Sequence, residues 1–196
     1  MNTTDRQELI AAIQTVLPML TREWNTVKLP LFEALVEQSF EEYFEGRQTQ
    51  EKTKMVAPIL DSVFARLIKQ QITGFKIAEG KGQDYEFRST PLESKITFGQ
   101  GNGWVGNGYA KTPWHMLMRF ELTEQGHIIS QFAMMADLST CESKWSAAGD
   151  KSNFSGLSFL SKDLPQLIPV VGTVTDRTKK GRTGKYVQPI MEYVNG

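Results

Sequence analysis

Asp84-Tyr85-Glu86-Phe87-Arg88-Ser89-Thr90-Pro91-Leu92-Glu93-Ser94-Lys95-Ile96-Thr97 carries both a turn signal and a cluster of charges. Segments 84–88 and 92–98 are apolar-alternating and flank Ser89-Thr90-Pro91, a spacing that predicts a β-hairpin. Glu93 and Lys95 are two apart, so on a strand they share a face, with side chains roughly 6.5–7 Å apart. Asp84, ahead of the bend, returns beside them if the hairpin closes. Two carboxylates and an ammonium at one sheet end are costly unless something binds there. A hard divalent cation held by carboxylate oxygens, with the lysine beside a bound water, accounts for the cluster.

Register decides which acid joins. A regular four-residue loop sets Arg88 opposite Glu93 and Glu86 opposite Lys95, with Asp84 on their face one pair further off. A three-residue loop turns Asp84 to the other face, and a bulge or bend repairs either case. Glu86 is therefore the alternative ligand, or a counter-charge for Lys95. The plain alternative is a solvated strand face carrying ordinary surface charges.

Outward from the hairpin, the first seventy residues read as helical. Leu9, Ile10, Ile13, Val16 and Leu17 recur at helical spacing, and Pro18 predicts a stop or kink. After Pro30, Leu31, Leu35, Val36, Phe40 and Phe44 form an apolar side, and Glu33, Glu37 and Glu41 a row four residues apart. A third run, Val56, Ile59, Leu60, Val63, Phe64, Leu67 and Ile68, ends before Gly74. Residues 75–138 read as strands, with a second hairpin of 115–122 and 127–138 about Thr123-Glu124-Gln125-Gly126. Residues 143–148 suggest a short helix, and 163–168 another helical or irregular piece. Helices followed by a strand block predict a mixed α/β (α+β) domain: a central mixed β-sheet flanked by helices, with a helical N-terminal third. At 196 residues the expectation is one domain, 1–196. It divides into helical residues 1–73, a sheet over 74–140 that carries the site, and a basic C-terminal part, 141–196.

The formal charge is zero, so no bulk electrostatic signature of nucleic-acid binding exists, and any basic surface must come from uneven charge distribution. Cys141 is the single cysteine, which excludes an internal disulfide framework and suits a reducing cytoplasm. Met1-Asn2-Thr3-Thr4-Asp5-Arg6 lacks the form of a secretory signal, and no apolar run reaches bilayer-spanning length. A soluble cytoplasmic protein is expected.

An Asp, a hairpin-length gap, then Glu-x-Lys on an apolar-flanked strand resembles the PD-(D/E)xK nuclease superfamily, and in particular small type II restriction endonucleases. The match proper covers about a dozen residues, and Gln83 stands where the motif's proline would precede Asp84. The resemblance implies a restriction-endonuclease-like fold and Mg2+, replaceable by Mn2+, held by Asp84, Glu93 and the backbone carbonyl of Ser94. It makes Asp84, Glu93 and Lys95 the catalytic residues, with Lys95 orienting or helping to deprotonate the attacking water. It also implies a further acid from a helix ahead of the sheet, for which Glu37 is the candidate.

The glycine-rich segment 99–108 and the residues after it suit contact with DNA, because glycine admits close backbone approach while amides and lysine read base edges or phosphates. Its candidates are Asn102, Trp104, Asn107, Lys111, Thr112 and His115. The C-terminal cluster Arg177, Lys179, Lys180, Arg182 and Lys185 suits phosphate contact. Gly101-Asn102-Gly103-Trp104-Val105-Gly106 spells a dinucleotide fingerprint, but no helix is expected to begin there. Gly181-Arg182-Thr183-Gly184-Lys185-Tyr186 fails the P-loop pattern. His115 and His127 lack the partner spacing for zinc.

The expected activity is hydrolysis of double-stranded DNA at specific sequences, giving 5′-phosphate and 3′-hydroxyl ends. A homodimer joined through the N-terminal helices would match a two-fold site, and a companion methyltransferase goes with such enzymes. Alternatives are a repair or junction-resolving nuclease of the same superfamily, or a non-catalytic DNA- or carbohydrate-binding module using the Trp104 and Trp114 loops.

Overall fold

The computed structural model describes residues 1–79, 83–99, 103–107, 112–146, 154–177 and 186–190. Four helices come first: α1 (Thr3–Glu23), α2 (Leu29–Val36), α3 (Phe40–Tyr43) and α4 (Thr49–Gln71). The first starts at an Asn2 cap whose side chain accepts from Asp5 N–H. It continues past Pro18 to Glu23 and on through a π-helical turn, Trp24–Lys28, into α2. Sequence alone predicted a stop or kink at Pro18. An internal proline costs about 3 kcal/mol, whereas continuing the helix buries Leu20 and Trp24 completely, each worth roughly 1.5–3 kcal/mol. Packing wins.

Ten strands follow. They are β1 (Phe75–Ile77), β2 (Tyr85–Phe87), β3 (Thr90–Phe98), β4 (Gly103–Asn107), β5 (Trp114–Leu122), β6 (Ile128–Asp137), β7 (Phe154–Ser158), β8 (Leu167–Val171), β9 (Thr173–Arg177) and β10 (Tyr186–Ile190). The central sheet has the order β1-β2-β3-β5-β6-β8, with β3 and β5 parallel and the remaining neighbours antiparallel. Two ribbons, β4-β7 and β9-β10, accompany it. The coarse expectation of a mixed α/β chain with a helical front third holds. The second hairpin, β5–β6, also forms where the sequence placed it. Residues 143–146 are not helical, and Ser161–Gln166 form a 3-10 turn.

Strand alternation divides the core in two. Leu92, Met116, Met118 and Phe120 face α1 and α4 in a large cluster. Leu117, Phe132, Met134 and Ala136 face the opposite way, under Trp104 of β4, Leu157 of β7 and Phe159. The N-terminal helices are tied to the sheet by polar bonds at the β5–β6 bend. Trp24 Nε1 donates to Gly126 O at 2.8 Å, and Asn25 exchanges bonds with both the N–H and the carbonyl of Ile128. Gly126 has φ +84°, and a Cβ there would lie 2.5 Å from the Phe40 ring, so no larger residue fits. Among the described residues, no helix is long and apolar enough to cross a membrane.

Candidate active site on strand β3

The bend between β2 and β3 consists of Arg88 and Ser89, with φ 46° and 68°. Positive φ at both central residues is the hairpin geometry whose twist suits antiparallel strands. Neither residue is glycine or asparagine, so each carries a left-handed backbone cost. Arg88 is secured from outside the hairpin: Nη1 donates to Asp5 Oδ1 at 2.6 Å, Nη2 to Glu8 Oε1 at 2.9 Å, and its N–H to Gly74 O at 3.1 Å. Thr90 and Pro91 therefore belong to β3 rather than to the bend, which corrects the sequence expectation. Pro91 is placed where its missing N–H costs no bond to β5, since that pairing starts at Leu92.

This tight bend settles the register. Phe87 pairs with Thr90, Glu86 with Pro91 and Tyr85 with Leu92, and Asp84, just ahead of β2, donates its N–H to Leu92 O at 3.1 Å. The longer-loop registers are not adopted. Glu86 instead meets Lys76 of β1 at 3.5 Å, away from Lys95.

Three oxygens converge on the Lys95 ammonium. Nζ lies 2.5 Å from Glu93 Oε1 and 3.5 Å from Asp84 Oδ2, and donates to the Ser94 carbonyl at 2.8 Å. The Glu93 side chain is 2% exposed, that of Lys95 16% and that of Asp84 38%, so the cluster opens to solvent on the Asp84 side. Ser94 binds the group together. Its N–H donates to Asp84 Oδ2 at 2.8 Å, while its Oγ donates to Asp61 Oδ1 at 3.2 Å on the helical side of the sheet.

Asp61 was not anticipated. It sits on α4 within the apolar run from Ile59 to Ile68, and a lone acid inside such a run was the signal available. Burial pushes its carboxyl above the usual range and the nearby Asp84 charge adds to this, against hydrogen bonds from Tyr85 and Ser94 and the Lys95 charge. The expected helix acid, Glu37, is elsewhere. It ends α2 at φ 54°, and a Ser39–Glu42 capping box starts α3 immediately afterwards. Glu33 caps too, accepting from Phe40 N–H at 2.8 Å. The chain reversal at Glu37 breaks the predicted glutamate row.

Across the parallel ladder, Glu93 is level with His115 and Thr97 with Arg119. His115 is fully buried. Its Nε2 accepts from Trp145 Nε1 at 2.9 Å, and its Nδ1 lies 3.2 Å from the Pro113 carbonyl, so the proton belongs on Nδ1 and the ring is neutral. Arg119 is 1% exposed; its guanidinium lies 4.7 Å from the Trp104 ring centroid, donates to Gly103 O at 2.7 Å, and is pushed down to about 10 by burial. Trp104, 1% exposed, packs on that cation. Burial thus withdraws both Trp104 and His115 from the DNA contact assigned to them. Thr112 is half-buried, Asn107 ends β4 and Arg177 ends β9. Asn102, Lys111, Lys179, Lys180, Arg182 and Lys185 lie outside the described residues.

Among the described residues, no group of three or more His, Cys, Asp or Glu side chains is close enough to hold a metal. The ligand set in question has two carboxylates, its third oxygen being the Ser94 carbonyl. No family model, curated protein or solved structure matches the chain.

Proposed function

We propose that the chain is a magnesium-dependent, site-specific endonuclease for double-stranded DNA, similar to small type II restriction enzymes of the PD-(D/E)xK kind. One observation carries this reading: the oxygens of Asp84, Glu93 and Ser94 all lie within 3.5 Å of one cationic centre. That centre is the Lys95 ammonium, which stands in for a second cation. The set consists of hard oxygen donors, which suits magnesium or manganese over softer ions. When bound, magnesium polarises the phosphate and makes a nearby water more acidic.

The chain's own residues do the rest. Glu93, 2% exposed and 2.5 Å from the Lys95 ammonium, presents its carboxylate in a fixed orientation. Asp84, more exposed, is positioned by the Ser94 N–H and marks the side from which a phosphate approaches. Lys95, between them, holds the attacking water and offsets charge that builds on the phosphate oxygens. Products with 5′-phosphate and 3′-hydroxyl ends follow from the resemblance.

A two-fold DNA site calls for a two-fold protein. Val27, Leu31 and Leu35 recur every four residues along the π-turn and α2 and are 49%, 53% and 75% exposed. An apolar stripe of this kind suits burial against a second copy. A cytoplasmic setting and a methyltransferase protecting the same DNA site complete the reading. The test is incubation of the purified chain with phage DNA, with and without magnesium. Discrete fragments that need magnesium support the reading, whereas cutting confined to branched DNA points to a junction or repair nuclease.

A further inference from the structure

A cavity of about 250 Å³ lies beside His115, lined by Thr112, Pro113, Leu138, Ser139, Lys144 and Trp145. It falls below the roughly 300–1,000 Å³ of sites for drug-sized ligands, which leaves room for a single planar ring system. The Trp145 indole is fixed at its edge by the bond to His115, with ring centroids 5.9 Å apart. His115 is the ladder neighbour of Glu93, and adjacent strands are about 4.8 Å apart. The indole is thereby built in register with the proposed catalytic glutamate, within a few nucleotides of a phosphate held there.

The polar lining is already sorted into donors and acceptors. Thr112 Oγ1 donates to Trp114 O at 3.1 Å and Ser139 Oγ to Asp137 Oδ1 at 2.6 Å, so both hydroxyl protons are committed and their oxygens remain acceptors. Lys144 donates to the carbonyls of Leu138 and Cys141, which leaves one ammonium proton over. Pro113 and Leu138 supply apolar walls. An aromatic platform, two acceptors and one donor match a nucleobase that has an exocyclic amine and a ring acceptor.

We propose that this cavity is a subsite for an unstacked nucleobase with an exocyclic amino group, belonging to the strand cut at Glu93 and Lys95. The proposal rests on the nuclease reading, but its test involves no cleavage. The full chain is titrated without magnesium with dCMP, dAMP, dTMP and deoxyribose 5-phosphate, and tryptophan emission and thermal melting are followed. Trp24, Trp104 and Trp114 are 0%, 1% and 8% exposed, so Trp145 is the tryptophan open to quenching. Saturable quenching by dCMP or dAMP is expected, about tenfold weaker with dTMP and missing with deoxyribose 5-phosphate. Trp145→Phe should keep the thermal protection given by dCMP, and Trp145→Ala should lose it. Equal effects of deoxyribose 5-phosphate and dCMP, no saturation at millimolar dCMP, or full protection of Trp145→Ala would overturn the subsite. Those results would leave phage DNA cleavage unaffected, so the two failures are distinguishable.

Discussion

Ser94 donates its backbone N–H to Asp84 Oδ2 at 2.8 Å, which pins a carboxylate from one strand onto the chain of the next. That bond exists because the β2–β3 bend is two residues long. Lengthening it by one residue would turn Asp84 to the opposite face. Ser89→Gly keeps the length and removes a left-handed penalty, so it should stabilise the fold by up to about 1 kcal/mol with activity retained. Insertion of one alanine between Arg88 and Ser89 should abolish cleavage. Chemical denaturation and a plasmid-cutting assay check the pair.

The Lys95 ammonium lies 2.5 Å from the Glu93 carboxylate, whose side chain is 2% exposed, so removing it takes a close counter-charge from a buried acid. Lys95→Ala should therefore destabilise the fold by about 1–3 kcal/mol, cut hydrolysis at least about a hundredfold, and spare DNA binding. Millimolar magnesium should restore part of the lost melting temperature in this variant. Thermal melting with and without magnesium reads the effect without any activity assay.

The Asp61 carboxyl is raised by burial, so the native chain holds a proton there that the unfolded chain, titrating at about 3.9, has already released. Stability should therefore fall as pH rises from about 4 through the raised native value, and stay lower above it. Asp61→Asn keeps an acceptor for Ser94 Oγ while removing the charge. It should melt higher than the parent at pH 7 and equally at pH 3, measured without metal.

The exposed apolar stripe gives an assembly prediction. Leu31→Glu and Leu35→Glu each place a charge where a second copy would bury a leucine that is now 53% or 75% exposed. Either should shift the chain from dimer to monomer in sedimentation while leaving its melting temperature within about 2 °C.

The helices at the front, the strand block behind them and the Asp84, Glu93 and Lys95 grouping were legible because periodicity and motif spacing are local. What escaped was set by contacts distant in sequence. Pro18 does not end α1, because Trp24 beyond it reaches Gly126 in the β5–β6 bend. The hairpin bends at Arg88 and Ser89 rather than at the proline, because Asp5 and Glu8 of α1 hold the arginine. The glycines around Trp104 suggest a DNA-reading side chain. In the fold it covers Arg119 of β5, from its place on the β4–β7 ribbon. Asp61 carried no motif at all, and only the α4–β3 packing brings it to Ser94.

Whether Asp84 and Glu93 hold magnesium is read by calorimetric titration of the ion into the DNA-free chain, alongside Asp84→Asn and Glu93→Gln. The parent should bind magnesium saturably in the millimolar range, and each variant should bind it at least about tenfold more weakly. Identical magnesium binding by all three chains, or none by the parent at any concentration that leaves it folded, would contradict that role of the two carboxylates.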